Sequence, residues 1–149
     1  MNYFGLLVSF FWLYKSALAQ DTSCFTSTDE LFDYLAQEAD GSDDITVVLC
    51  PDTVFLIGNL DDGSAAVEDG TMPLIAFPRV TYLCGEDGSS ANNCILESGN
   101  IQFWNPPGAA VETVLVQGLT FQDATFVSIY LQGSGQISFI DCIIRVSAP

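Results

Sequence analysis

The chemistry open to this chain rests on carboxylates and thiols, because the sequence contains no histidine. That absence excludes Ser-His-Asp and Cys-His nucleophile pairs, His-ligated zinc and histidine acid–base catalysis. Adjacent acids occur at Asp43-Asp44, Asp61-Asp62 and Glu68-Asp69. Hydrolysis of a glycoside needs two carboxylates across a cleft. All three pairs lie in Gly/Ser-rich turns, where acids are normally solvated, so we assign no catalytic residue.

The acid-rich segment 61–69 (DDGSAAVED) is a candidate calcium loop. Its spacing does not fit an EF-hand, which has acids at alternating positions and a Glu at the twelfth. A solvated acidic loop is the better interpretation. We therefore expect no cofactor and no metal site.

Trp104 is a candidate platform for stacking a sugar. If Ile101 and Phe103 point inward, the alternation of a strand turns Trp104 outward, beside the stiff turn Asn105-Pro106-Pro107. An exposed aromatic side chain there would suit a neutral saccharide. Packing beneath a neighbouring loop is the alternative interpretation.

Export from the cytosol is predicted by the N-terminus. The segment Tyr3–Tyr14 is apolar and uncharged over twelve residues, shorter than the roughly 20 that span a bilayer. Ala17-x-Ala19 follows, and small-x-small is the pattern that signal peptidase accepts, so residues 1–19 read as a signal peptide cleaved between Ala19 and Gln20. A buried N-terminal helix or a signal anchor is the alternative, and the n-region lacks Lys and Arg.

Processing at Ala19 would leave a strongly acidic protein of one domain. The cleaved segment contains Lys15 and no acid, so 19 acidic residues stand against Arg79 and Arg145, a net charge of −17. Nucleic acid and anionic membrane surfaces are excluded as partners, since both are bound by clustered Lys and Arg. We expect no stable insertion into a membrane after processing.

Five cysteines would enter an oxidising compartment after export, where most should pair. Five thiols allow fifteen ways of forming two disulfides, and the spacing does not choose among them. Metal binding is the weaker interpretation, because no CxxC spacing occurs.

One helix is predicted, near the start of the mature chain. Ser27 and Glu30 form a capping box, and residues 29–39 carry apolar side chains on one stripe. We assign residues 20–44 to an N-terminal cap that contains this helix.

Everything after Asp44 is predicted to be strand and turn, in runs rich in Val, Ile, Phe, Tyr and Thr. The runs repeat. Residues 114–121 superimpose on 137–144 at a shift of 23, with the apolar alternation changing phase across Gly118 and Asp141. Val80-x-Tyr82-x-Cys84 aligns with Val114-x-Val116-x-Gly118 at a shift of 34 residues. Thr46-x-Val48-x-Cys50 aligns with Val80-x-Tyr82-x-Cys84, also at a shift of 34 residues. The fold class is all-β.

The runs LVQGLTF and GQISFIDCII, with the CGEDG…C insertion, resemble successive coils of secreted right-handed parallel β-helix proteins of the pectin-lyase-like superfamily. The resemblance covers residues 45–145. It implies a solenoid over residues 45–149, capped by helix 29–39. A β-sandwich is the alternative.

The resemblance also guides the disulfides. It implies Cys84–Cys94, pinning a protruding loop, and Cys24–Cys50, joining cap to first coil. Cys142 would occupy the place of Leu119 one coil later, as a buried core thiol.

The functional expectation rests on the resemblance and on the absence of histidine, and of lysine after processing. We expect a secreted, non-catalytic structural, surface or carbohydrate-binding protein whose partners are extracellular glycans. A polysaccharide-active hydrolase or lyase of the pectinase type is the alternative. The repeat stops after Arg145 without a cap, and an open coil end invites aggregation. We therefore also consider a fragment of a longer β-helix protein, or an oligomer formed through the open coil.

Overall fold

The structure is a computed structural model that describes residues 24–39, 43–58, 73–105, 113–124, 128–133 and 135–145. The proposed signal peptide with its Ala19–Gln20 junction and the acidic segment 61–69 lie outside these ranges. Within them no helix is both long and apolar enough to cross a membrane.

The described chain is mostly β, with one α-helix near its start. The elements are α1 (Thr28–Glu38), β1 (Ile45–Leu49), β2 (Val54–Leu56), β3 (Leu74–Ile75), β4 (Val80–Cys84), β5 (Cys94–Glu97), β6 (Ile101–Asn105), β7 (Thr113–Gln117), β8 (Leu119–Gln122), β9 (Ile129–Gly133), β10 (Gln136–Ile140) and β11 (Ile143–Arg145). A single 3-10 turn, Ser90–Asn92, lies between β4 and β5.

The strands form three parallel sheets that the chain visits in a fixed order. Sheet A has the order β1-β4-β7-β10, sheet B has β2-β5-β8-β11 and sheet C has β3-β6-β9. We call one passage through the three sheets a circuit. Every described strand pair is parallel, which disfavours the β-sandwich, since sandwich strands pair antiparallel.

The register of sheet A agrees with two of the three predicted shifts. Tyr82 lies opposite Val116, a shift of 34, and Val116 lies opposite Phe139, a shift of 23. The first shift was predicted wrongly. Val47 rather than Val48 lies opposite Tyr82, so the shift is 35. A slip of one residue exchanges the two faces of a strand.

The interior is filled by ladders of equivalent side chains from successive circuits. In sheet A one ladder is Val47, Tyr82 and Val116, and in sheet B another is Phe55, Leu96 and Phe121; all six are buried. Each inward residue thus packs on the equivalent residue of the next circuit, so the core runs continuously along the stack.

The corner between sheets A and B uses the same backbone conformation in all four circuits. A residue one or two positions before each sheet-B strand has a positive φ: Asp52 (56°), Asn93 (57°), Gly118 (77°) and Asp141 (51°). Gly, Asn and Asp tolerate this left-handed region better than other residues do. The phase change predicted at Gly118 and Asp141 is therefore a corner, and it lets the strand on either side present apolar side chains to the same interior.

Helix α1 packs at the β1 end of the stack. Ser27 caps it by accepting a hydrogen bond from the Glu30 N–H at 3.3 Å. The helix spans 28–38, one residue earlier at each end than the predicted 29–39, because the chain leaves helical geometry at its C-cap, Ala39. Leu31 and Leu35 are buried in the core.

Phe25 connects this helix to sheet A. It pairs in parallel with Leu49 on the outer edge of β1, and its ring centroid lies 5.0 Å from that of Tyr34 in α1. The helix and Phe25 together cover this end of the stack.

Candidate functional site

Two disulfides join cysteines that are 26 and 10 residues apart in sequence. Cys24 pairs with Cys50, with Cα atoms 5.0 Å apart, and Cys84 pairs with Cys94, with Cα atoms 5.5 Å apart. These are the pairs that the resemblance implies. Disulfides persist in oxidising compartments, so both are consistent with an extracellular protein.

The Cys24–Cys50 bridge explains why the first register differs from the prediction. Leu49 takes the inward position opposite Cys84. Cys50 then lies just past β1 and bonds to Cys24. Matching the strands by their cysteines therefore misplaced β1 by one residue.

The loop 85–93 joins β4 to β5. It lies along the sheet A–sheet B corner and contacts the circuits on both sides. Asn92 O accepts from the Asp52 N–H at 2.8 Å in the first circuit. The Ser90 N–H donates to Asp141 Oδ2 at 2.8 Å in the fourth.

Asp44, the second of the adjacent acids Asp43-Asp44, has a basic partner in the structure. Asp44 accepts a hydrogen bond from Arg79 Nε at 3.0 Å, and this contact holds the pKa of the Asp44 carboxyl below its usual range. A general acid needs the opposite shift. Asp61-Asp62 and Glu68-Asp69 lie outside the described residues, so their interpretation as solvated loop acids stays a prediction.

No group of three or more Cys, Asp or Glu side chains within the described ranges could hold a metal ion. The candidate calcium segment 61–69 lies outside those ranges. Trp104 is in β6, where its backbone pairs with Gln132 of β9, but its side chain lies outside the described part of the structure. The sugar-stacking role of Trp104 therefore stays a prediction.

The most distinctive surface is the end of the stack opposite α1. Among the described strands, β9, β10 and β11 are the outermost members of sheets C, A and B. Edge strands present unpaired N–H and C=O groups on their free side. We call these three strands the open end.

Side chains at the open end occupy interior positions without being covered. Val114, Val116, Leu119 and Phe121 of the third circuit are all buried. Their equivalents one circuit later are half-buried or exposed: Ile137, Phe139, Cys142 and Ile144. Ile144 is 57% exposed, whereas Phe121 beside it is 1% exposed. The apolar interior of the stack thus continues to the surface at this end.

Cys142 is the one cysteine outside a disulfide. It follows the corner residue Asp141, as Leu119 follows Gly118, and its Sγ lies 3.4 Å from Val116 O. Partial burial raises the pKa of the thiol, which makes it less reactive than a free cysteine. The sequence predicted a buried core thiol, but Cys142 is only half-buried, because no described strand lies beyond β11.

Further apolar side chains are exposed on the outer faces of the sheets, including Val54, Leu56 and Ile140. Sequence reasoning missed them. The alternation in each run identifies two faces, but both faces are apolar in the VFL of β2, so composition alone does not show which side is outside.

No protein-family model matches the chain, and neither curated proteins nor solved structures show significant similarity to it.

Proposed function

We propose that the chain is a secreted, non-catalytic right-handed parallel β-helix that serves as an extracellular structural or carbohydrate-binding protein. The observation that carries this proposal is the strand order, in which every third strand returns to the same sheet with parallel pairing. A chain that winds through three sheets in this way generates a solenoid. Parallel crossover connections are right-handed in nearly all proteins, which supports the right-handed sense.

Secretion is supported by two independent features. The segment before Gln20 has the apolar run and the Ala17-x-Ala19 pattern of a signal peptide. The two disulfides require an oxidising environment to persist.

A non-catalytic role is supported by the positions of the charged groups. Arg79 is bonded to Asp44, and Arg145 Nη1 donates to Gln122 Oε1 at 3.4 Å. A lyase that acts on an acidic polysaccharide needs a base and a cation to stabilise developing charge. The strongly negative chain would also repel such a polymer, so neutral saccharides are the favoured ligands.

Binding and turnover can be separated in one experiment. The full chain is produced in a secretory host, and N-terminal sequencing of the medium fraction is expected to begin at Gln20. The purified protein is applied to neutral and acidic glycans, with product release followed by reducing-end assay. We expect retention on neutral glycans and no product.

Two variants sharpen the result. Trp104→Ala is expected to weaken neutral-glycan binding, whereas Tyr130→Ala, which removes a partly exposed aromatic from β9, should not. Turnover that disappears in Asp61→Asn or Asp62→Asn would overturn the proposal in favour of a polysaccharide-active enzyme.

A further inference from the structure

We propose that the folded chain resists proteases that cut after Lys or Arg. Between Lys15 and Arg145 it contains a single basic residue, Arg79, and the fold holds that residue between the first and third circuits. Cuts after Lys15 or Arg145 would leave residues 16–145 in one piece. Arg79 is therefore the one position at which such a protease could divide the domain. This inference goes beyond the proposed function, because it depends neither on a glycan nor on the signal peptide.

The segments between the described ranges offer these proteases no target. Proteolysis is concentrated at exposed loops and chain ends. Between Ser16 and Pro78, and again between Val80 and Ile144, the chain contains neither Lys nor Arg. Protection of these segments follows from their composition, whatever their conformation.

Cleavage after Arg79 would need three groups that the fold already uses. The protease binds the basic side chain in its S1 pocket, and its serine adds to the Arg79 carbonyl carbon with the carbonyl oxygen in the oxyanion hole. The C–N bond between Arg79 and Val80 then breaks, the Val80 amine leaves with a proton, and water releases Arg79 as a carboxylate. The Arg79 side chain, the Arg79 carbonyl oxygen and the Val80 amide must therefore all reach the enzyme.

Each of these groups has a partner in the structure. Arg79 Nε donates to Asp44 Oδ1 at 3.0 Å. The Arg79 carbonyl oxygen accepts from the Ile45 N–H at 3.1 Å. The Val80 N–H donates to Phe77 O at 3.3 Å, and Val80 is buried at the start of β4.

The Arg79 backbone is tied to the circuits on both sides. Its N–H donates to Thr113 O in the third circuit at 3.1 Å, while its carbonyl oxygen is bonded to Ile45 in the first. Its φ of 63° lies in the left-handed region rather than in the extended form of a strand. The protease can therefore reach the bond only after β4 separates from β1 and β7. The chain is suited to surroundings that contain trypsin-like proteases.

The test is the rate at which trypsin breaks the Arg79–Val80 bond in the purified chain without reductant. Cys24–Cys50 lies before this bond and Cys84–Cys94 lies after it, so one cut yields two separate fragments that mass spectrometry detects. The reference is the same chain reduced and alkylated with iodoacetamide. We expect the folded chain to be cut at least about 1,000-fold more slowly, because folded domains have unfolding equilibria of this order or larger.

Two substitutions in β1 form a matched pair. Val47 is buried and lies opposite Tyr82, whereas Val48 is half-buried on the outer face of the same strand. Val47→Ala removes buried methyl groups and is expected to speed the cut at least about tenfold. Val48→Ala should change the rate by less than about threefold. Circular dichroism checks that both variants are folded.

The ion pair is tested with a second pair of variants, which also serves if Val47→Ala does not fold. Asp44→Asn removes the charged partner of Arg79 and should speed the cut about twofold, as expected for an exposed ion pair. Asp43→Asn makes the same change of charge one residue away and should leave the rate unchanged.

Three results would overturn the proposal. Protection of the folded wild type below about 1,000-fold would mean that trypsin reaches the bond without the opening described. Equal rates in Val47→Ala and Val48→Ala would mean that β1 does not have to separate from β4. Equal rates in Asp44→Asn and Asp43→Asn would overturn the part assigned to Asp44. No glycan takes part in this assay, so a failure of this inference is distinguishable from a failure of the proposed function.

Discussion

Replacing Tyr82 with Phe removes one buried hydroxyl and leaves the ring in place. Tyr82 is fully buried in the sheet A ladder, and its hydroxyl donates to Ile75 O in β3 of sheet C at 2.7 Å. Ile75 O also accepts from the Phe77 N–H at 3.2 Å, so the carbonyl keeps one donor in the variant. Tyr82→Phe should therefore lower the free energy of unfolding by about 1 kcal/mol, at the lower end of the range for losing a buried hydrogen bond.

The pH dependence of this difference provides a sharper test. Burial raises the pKa of the Tyr82 phenol well above its usual range. The unfolded chain ionises Tyr82 near pH 10, while the folded chain keeps it protonated. The stabilising effect of the neutral phenol is therefore complete below about pH 10, and above it the wild type loses about 1.4 kcal/mol per pH unit relative to the variant.

Urea denaturation of both proteins without reductant measures the two effects. The wild type should be more stable at neutral pH, with an unchanged m-value. The two curves should meet near pH 11 and cross above it, since the loss of about 1.4 kcal/mol per pH unit overtakes a difference of about 1 kcal/mol. A stability difference that stays constant up to pH 11 would refute the reasoning, because it would mean that the Tyr82 hydroxyl ionises equally in both states.

Three further predictions concern the corner, the surface and the loop. Gly118→Ala should lower the free energy of unfolding by more than about 2 kcal/mol in urea, because φ is +77° and an added Cβ would lie 2.5 Å from a backbone oxygen; a neutral result would place the corner elsewhere. Asp44→Asn should abolish part of the stability loss seen as the pH falls below about 4, since the contact with Arg79 lowers the pKa of Asp44, and identical acid titrations would contradict this. Replacing Cys84 and Cys94 together with Ser should cost about 3 kcal/mol, measured as a lower urea midpoint; an unchanged midpoint would show that the loop contacts alone suffice.

Much of the fold was readable from local pattern. The strand runs and the capping box at Ser27 are local features, because they depend on side-chain alternation and on one side chain meeting a nearby N–H. The shift of 23 between the last two circuits was readable because no insertion separates their runs. Gly118 and Asp141 also identified the corner, since few residue types adopt a positive φ.

The register of β1 was not readable from its own sequence. ITVVLC has apolar residues on both faces, so either Val47 or Val48 could point inward. The Cys24–Cys50 bridge and the pairing of Phe25 with Leu49 decide between them. The register of β1 is thus fixed by contacts between residues that are far apart in sequence.

The role of a carboxylate likewise cannot be predicted from the local sequence alone. Asp43 and Asp44 are an acid pair in the sequence, but Arg79 from the next circuit holds Asp44 as a carboxylate. Asp44 and Arg79 are 35 positions apart in the sequence, so no local pattern signals this contact. Whether an acid pair could be catalytic depends on the neighbouring group that sets the pKa of each carboxyl, and that neighbour can be distant in sequence.

The sequence by itself excluded chemistry that needs histidine, and it predicted α1, the strand runs and the corner residues. Tertiary structure alone decided that loop 85–93 lies along the corner, that Cys142 is only half-buried, and that Ile144 is exposed while Phe121 is not. Phe121 and Ile144 occupy equivalent positions in the repeat, and sequence gives them the same inward direction. Burial depends on whether another circuit lies beyond, and only the stacking of the circuits shows where the interior reaches the surface.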